Sequence, residues 1–507
     1  MKVGGVLRWR RVWIAALVLS LAPAAFADRS ADSKAASDAP AGDADARPAP
    51  TRIWSRAKTT WIYEKPEKGH WRERLGYVRL GTSVKLKSAK PVRGAGCSKG
   101  FYQVEPEGYV CLDRTSALSG DSRYLRGMQL VAPLGGTLPF HYALSNRAPM
   151  YRRLPTPEEW QHAERYMGKP GSFGPQSWGN RGHEKLAEVR AIQAKDKLPW
   201  FLADGGSIAH AHEKKLVRRT IPLGSMLAYT KSFRYDGRTW LLSADGSVVP
   251  ADRVRPYRES KFHGVQLGGA VKLPIAWMRA SEKPEYVRGD DGSFKATGNS
   301  WAVRTEVGLE SVEAQTSGKQ SYLPTRARDA KGRRLWIAES DATVARRRDK
   351  LPYGIAKTDK WLIVSITEGT LVAYEGLRPV FATLVSPGAG GPPRKGVPPL
   401  KTSSSPMGRF RIQMKHRAAM MTPDPKEPRR FWIADVPDTQ YFDPPYALHT
   451  AFWHQSFGER MSAGCINLSP RDGRTLFAWT DPQLPAGWNG VQSGRGMGKG
   501  TIVIIVR

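Results

Sequence analysis

From Ile53 onward the chain reads as short β-type runs closed by Gly-, Pro- and Lys-rich turns. Trp61-Ile62-Tyr63, Gly76-Tyr77-Val78, Val84-Lys85-Leu86, Phe101-Tyr102-Gln103-Val104 and Gly108-Tyr109-Val110 follow one another in this way. Aromatic and β-branched runs this short favour strands, and strands at this spacing indicate a small barrel or sandwich. Residues 53–118 are therefore expected to form one such module, and the protein as a whole to be mainly β.

Fragments of the pattern recur. Leu80-Gly81-Thr82-Ser83-Val84 is echoed by Leu223-Gly224-Ser225-Met226-Leu227. Trp240-Leu241 with Asp245-Gly246-Ser247-Val248 matches Trp336-Ile337 with Asp341-Ala342-Thr343-Val344 at the same internal spacing. Two further β-rich modules are expected, over 119–258 and 259–349, as a divergent repeat. Residues 156–198 interrupt the second. Thr156 as cap, Pro157 at the first helical position and Glu158 and Glu159 in the first turn predict a helix start there, and Phe173 to Gly182 a loop.

A last domain is expected over 360–507. Trp361 to Ile366, Thr370 to Tyr374 and Val380 to Ser386 read as a β-meander, followed by Ser405-Pro406-Met407-Gly408 as a turn and Arg409 to Ile412 as a strand. Beyond them lie Leu448-His449-Thr450 and Met461-Ser462-Ala463-Gly464-Cys465-Ile466-Asn467-Leu468, with the histidine sixteen positions before the cysteine. A thiol is a good nucleophile only as thiolate, so it needs a nearby base or positive field. His449 is the candidate base. Gly464 permits close approach of the backbone to a substrate, and the amides of Gly464 and Cys465 are candidate oxyanion donors. The bland reading of a lone cysteine is a small buried hydrophobe. There are three cysteines in all, and a Cys97–Cys111 pair would leave Cys465 as the odd thiol in an oxidising compartment. In the loop-entropy account such a bridge is worth about 3 kcal/mol.

The His-to-Cys block resembles the signature of the L,D-transpeptidases, enzymes that remodel bacterial peptidoglycan. The order of strands over about 360–507 is similar to theirs. Residues 53–118 resemble the bacterial Src-homology-3-like domains that accompany cell-wall enzymes. The resemblance implies a C-terminal L,D-transpeptidase-type β-sandwich preceded by small β-barrel modules with a helical and loop insertion. It implies that Cys465 attacks the third residue of a stem peptide, forms a thioester and expels D-alanine, with His449 as general base and then acid. Amine attack on the thioester crosslinks or attaches a protein; water attack trims, as an L,D-carboxypeptidase does. Asn467 matches the family's closing polar position, and His454 a Trp-His pair found in many members.

Two positions depart from that pattern. Thr450 stands where the family usually has glycine, and Ala463 where most members carry a second histidine, which raises the alternative of a wall-binding scaffold with a decayed catalytic domain. Ser462 is a candidate for orienting the site through local hydrogen bonds. Tyr441, Tyr446 and Trp453 are candidate cleft walls, and Tyr446, Trp453, His454 and Asn467 candidate substrate-binding residues. No acidic third member of a triad is evident, Asp435 and Asp438 reading equally well as turn residues. His162, His183, His210 and His212 lack an accompanying acid or cysteine cluster, so neither a metal nor another cofactor is expected.

The N-terminus sets the expected compartment. A basic start (Lys2, Arg8, Arg10, Arg11), the apolar stretch Val12 to Leu21 and Ala25-Phe26-Ala27 read as a signal peptide over 1–27, with a retained anchor as the alternative. Residues 28–52, rich in Ala, Asp, Ser and Pro, read as a disordered linker. Export to the periplasm or cell envelope is expected, with no stable transmembrane segment after cleavage. Lysine and arginine number 79 against 46 acidic residues, a net charge of +33 spread over the chain. With export, that charge favours an anionic cell-envelope polymer or lipid surface over nucleic acid. The expected partners are peptidoglycan stem peptides and, as one acceptor, an envelope protein.

Overall fold

The computed structural model describes residues 49–70, 73–171, 186–207, 215–421 and 433–507. The expected signal peptide, most of the linker, and His183, His210 and His212 lie outside the described residues. Among the described residues no helix is long and apolar enough to cross a membrane, and no group of three metal-ligating side chains occurs.

The C-terminal domain is a β-sandwich. One sheet orders Val265–Gln266, Arg378–Leu384, Thr370–Glu375, Lys360–Ser365, Ile502–Val506 and Gly408–Arg411. The central run Trp361-Leu362-Ile363-Val364 is apolar at every position because both faces are covered. Leu362 and Val364 face the sandwich core with Leu448, Ile466 and Leu476. Trp361 and Ile363 face the opposite way, onto Ile275 and Trp277 of the third module. The facing sheet contains Met414–Met421, Ile433–Asp443, Tyr446–Thr450 and Ile466–Leu468, backed by the helix Pro470–Trp479. That helix starts on Ser469, whose hydroxyl accepts from the Asp472 N–H, followed by Pro470.

The first module does not close on itself. Its strand Arg74–Val78 pairs with Gly490–Gln492, which pairs in turn with Met414–Met421, so module and C-terminal domain share one sheet. Trp488 is 3% exposed and sits in the module's core beside Leu75, Val78 and Val110, its indole N–H donating to the Glu105 carbonyl at 2.9 Å. Gly76 makes room for it: a Cβ there would lie 2.6 Å from the Trp488 ring. The neighbouring Asn489 accepts from the Arg79 N–H through its side-chain oxygen at 2.8 Å. Cys97 and Cys111 form a disulfide with Cα atoms 5.8 Å apart.

The other modules also meet the C-terminal domain. In the second, Met226 pairs with Ile433, and the Tyr142 ring stacks on Phe452 at 3.8 Å. In the third, Glu368 of the C-terminal domain accepts from the Val344 N–H at 3.0 Å. The helix in the second module spans Pro157–Glu164 and carries a full capping box between Thr156 and Glu159.

The recurring unit differs from the Trp-x₄-Asp correspondence expected from sequence. Asp245 lies in the turn after Arg238–Ser243, whereas Asp341 lies in the 3₁₀ turn Glu339–Asp341. What recurs is a strand, a 3₁₀ turn and a strand: Val248–Pro250, Ala251–Arg253, Val254–Pro256 in one module and Arg334–Ala338, Glu339–Asp341, Ala342–Ala345 in the next. Trp240 and Trp336 therefore stand on non-equivalent strands; the spacing match arose because both strands end near an aspartate.

Because Trp488 fills another module's core, Trp488→Ala should cost about 3–5 kcal/mol, the usual range for emptying a buried tryptophan site. Chemical denaturation of the full chain measures this. A loss below about 1 kcal/mol would show that the first module holds its core without the C-terminal domain.

Candidate active site

Two neighbouring strands fix the site. Tyr446–Thr450 and Ile466–Leu468 are buried at every position and run parallel, with Leu448 opposite Ile466 and His449 opposite Asn467. The same register sets Ala447 opposite Cys465. Side chains two apart share a face, so His449, Asn467 and Cys465 project to one side, the cysteine about 7 Å along the strand direction from the histidine level.

The turn before Cys465 is tied down by small residues. The Ser462 hydroxyl donates to the Cys465 carbonyl and accepts from the Gly464 N–H at 3.0 Å. Ser405, wholly buried, donates to the Gly464 carbonyl at 2.8 Å while accepting from the Gly388 N–H at 2.9 Å. Gly464 has φ +133°, and a Cβ there would lie 2.7 Å from the Tyr446 ring and 2.9 Å from the Ser404 carbonyl. Only glycine fits. Sequence reasoning saw Ser405 as a turn residue; nothing local marks a hydroxyl that acts 59 positions away.

His449 is 3% exposed, and its Nδ1 lies 3.2 Å from the Thr450 carbonyl. A carbonyl only accepts, so Nδ1 carries the proton and Nε2 keeps its lone pair. This backbone carbonyl takes the place of an acidic third residue. Asp435 and Asp438 are engaged elsewhere: Asp435 pairs with Arg79 at 2.6 Å, and Asp438 with Arg417 at 2.6 Å. Burial lowers the His449 pKa from 6.5 to about 4. Burial also raises the Cys465 thiol to about 11, opposed by a hydrogen bond from the backbone of Ala447. At neutral pH the resting pair is thus thiol and neutral imidazole.

His454 and Asn467 brace the turn from behind. The Ser456 N–H donates to His454 Nδ1 at 3.2 Å, and His454 Nε2 lies 3.0 Å from the Asn467 side-chain amide nitrogen. His454 is 1% exposed, and its ring meets those of Trp453 and Phe457.

Trp453 is tilted against the His449 ring at 5.7 Å, and Tyr446 packs against Gly464. Tyr441 is paired with Ala447 on the neighbouring strand, and burial raises its phenol, a charge on Cys465 adding to the rise. Ala463 is exposed at the rim. Thr450 is accommodated by a glycine from the helix behind it: a Cβ at Gly473 would fall 2.0 Å from the Thr450 hydroxyl.

Residues 359–505 match the family model YkuD, the L,D-transpeptidase catalytic domain. This segment is an L,D-transpeptidase catalytic domain. Solved structures similar to part of the chain include an L,D-transpeptidase cysteine-to-serine mutant from Enterococcus faecium (18% identity, 29% of this chain, 50% of that chain, TM-score 0.22). Others are an L,D-transpeptidase from Stackebrandtia nassauensis (22%, 30% and 57%, TM-score 0.20) and one from Mycobacterium smegmatis (12%, 40% and 100%, TM-score 0.23). The chain thus spans about half the length of the E. faecium protein. No curated protein matches the chain.

His449 and His416 share one pH signature, both being lowered by burial to about 4. Between pH 6.5 and 4 the unfolded chain takes up protons that these two buried rings refuse, so both make stability fall as pH drops through that window, opposed by Asp438, whose carboxyl burial raises to about 6. Denaturation midpoints should decline over it, and His449→Gln should flatten part of the slope. An unchanged slope in the variant would show that His449 titrates normally in the folded protein.

Proposed function

We propose that the protein is an exported peptidoglycan L,D-transpeptidase that acylates Cys465 with a stem peptide and passes the acyl group to an amine. The observation that carries this reading is the shared face of His449 and Cys465 within an L,D-transpeptidase catalytic domain, with Nδ1 committed to the Thr450 carbonyl.

The chemistry follows from that arrangement. His449 Nε2 takes the thiol proton as the sulfur attacks the carbonyl carbon of the third stem residue. The oxyanion faces the Cys465 N–H, because the Gly464 N–H is already donated to Ser462. The carbon–nitrogen bond to D-alanine then breaks, and its amine takes the proton back from His449. An acceptor amine attacks the thioester, gives its proton to His449 and expels the thiolate, which takes that proton and restores the resting pair. A neutral resting pair suits this sequence, since the proton moves only as charge develops on the substrate. The net charge of +33 suits a substrate rich in carboxylates.

Cys465→Ala should abolish thioester formation with a tetrapeptide donor, observed by intact mass. His449→Ala should stay folded and lose about 10²–10⁴-fold in acylation rate. Muropeptide analysis separates crosslinked dimers from trimmed tripeptides and so identifies amine or water as acceptor. Acylation of Cys465→Ala would overturn the mechanism. A wild type that is inert while Ala463→His gains activity would instead indicate a decayed scaffold.

A further inference from the structure

The shared sheet brings a first-module side chain into line with the thiol. Tyr77 is paired with Gly490, and Gly490 with His416, so the three stand in one row on one face. Gly490 has no side chain, and the gap lets its neighbours meet. A Cβ there would lie 2.2 Å from the Tyr77 ring and 3.1 Å from His416 Nδ1. Across that gap the Tyr77 hydroxyl is 3.2 Å from His416 Nδ1, with the ring centroids 5.6 Å apart.

The row continues toward the cysteine. His416 meets the Tyr441 ring at 5.7 Å and near-perpendicular, at 83°. Tyr441 is paired with Ala447, which the parallel register sets opposite Cys465, so the three share one face of the sheet. Tyr441 is therefore met from one side by His416, and on the other only the small Ala447 separates it from the strand that carries the nucleophile.

We propose that Tyr77 is a positioning residue of the acyl-transfer site, acting through His416 to hold the Tyr441 ring against the Cys465 thiol. This rests on the function proposed above. The first module thereby contributes to the chemistry and is more than a tether. Without the Tyr77 hydroxyl, His416 loses a hydrogen bond that fixes its ring, and Tyr441 loses its stop. Two consequences follow. The donor carbonyl meets a less ordered wall, which lowers the acylation rate. Water also reaches the sulfur more easily, and because burial is what raises the thiol, its titration moves to lower pH.

Tyr77→Phe tests this in the full-length protein, since it keeps the ring and the strand pairing and deletes one hydroxyl. Acylation by a tetrapeptide donor should show kcat down about fivefold or more and KM within about twofold, as for a misplaced reacting group. Alkylation of Cys465 by iodoacetamide, followed by intact mass across pH, should show a midpoint below that of the wild type. A loss of packing alone would lower the melting temperature and leave the alkylation midpoint unmoved. Wild-type kcat with a wild-type alkylation profile would overturn the proposal, as would a rate loss accompanied by an unmoved midpoint. If the wild type alkylates at Cys465 yet never accepts the tetrapeptide, the proposed function fails, and the alkylation midpoint of Tyr77→Phe still decides the role of Tyr77.

Discussion

The parallel pairing of Tyr446–Thr450 with Ile466–Leu468 is the constraint on which the rest depends. A parallel neighbour cannot be reached through a tight turn, so the chain leaves the sheet between them and returns. The excursion carries Phe452, Trp453 and His454, which pack beneath the histidine, and the Ser462–Gly464 turn, which delivers the cysteine. A slip of one residue would send His449 and Cys465 to opposite faces. The register is held against that slip by full burial of both strands and by Ser386, which exchanges two backbone hydrogen bonds with Asn467 at 2.9 and 3.0 Å.

Around that pair the molecule uses its N-terminal modules as walls. The first enters the catalytic sheet as an added strand and receives Trp488 in exchange. The second supplies Tyr142, which stacks on Phe452 and donates to the Asp435 carbonyl at 2.6 Å. Phe452 meets Trp453 edge-on at 5.0 Å, and Trp453 lies against His449. The base is thus buttressed from another module by stacked rings, whose stiffness comes from their few rotatable bonds and large contact area. The third module covers the outer face of the meander.

The charge of the chain acquires a second meaning in this setting. Several arginines are spent internally. Arg238 and Arg253 both bond Glu164, which is 3% exposed, and Arg79 and Arg417 hold Asp435 and Asp438. Lys415 is fully buried and donates to the Phe477 and Thr480 carbonyls at 2.6 Å each, capping the end of the helix behind the histidine strand. Burying a charge is costly unless it is paired, and the Arg79–Asp435 pair also ties the first module to the sheet.

Much was legible in the chain alone because its causes are local. Alternating apolar runs with glycine and proline stops dictate strands; Thr156, Pro157 and Glu159 dictate a helix start; the small residues before Cys465 dictate a turn. Each depends on the backbone preferences of a few consecutive residues. The match of Trp240 to Trp336 misled because spacing along a chain carries no record of which strand pairs with which. Tertiary structure alone decided that Ser405 supports Gly464, that the Thr450 carbonyl stands in for an acid, that Asp435 and Asp438 serve arginines, and that Tyr77 lies in the row that leads to Cys465. Those relations join residues 1 to more than 300 positions apart, and sequence specifies them only through the summed packing of whole sheets.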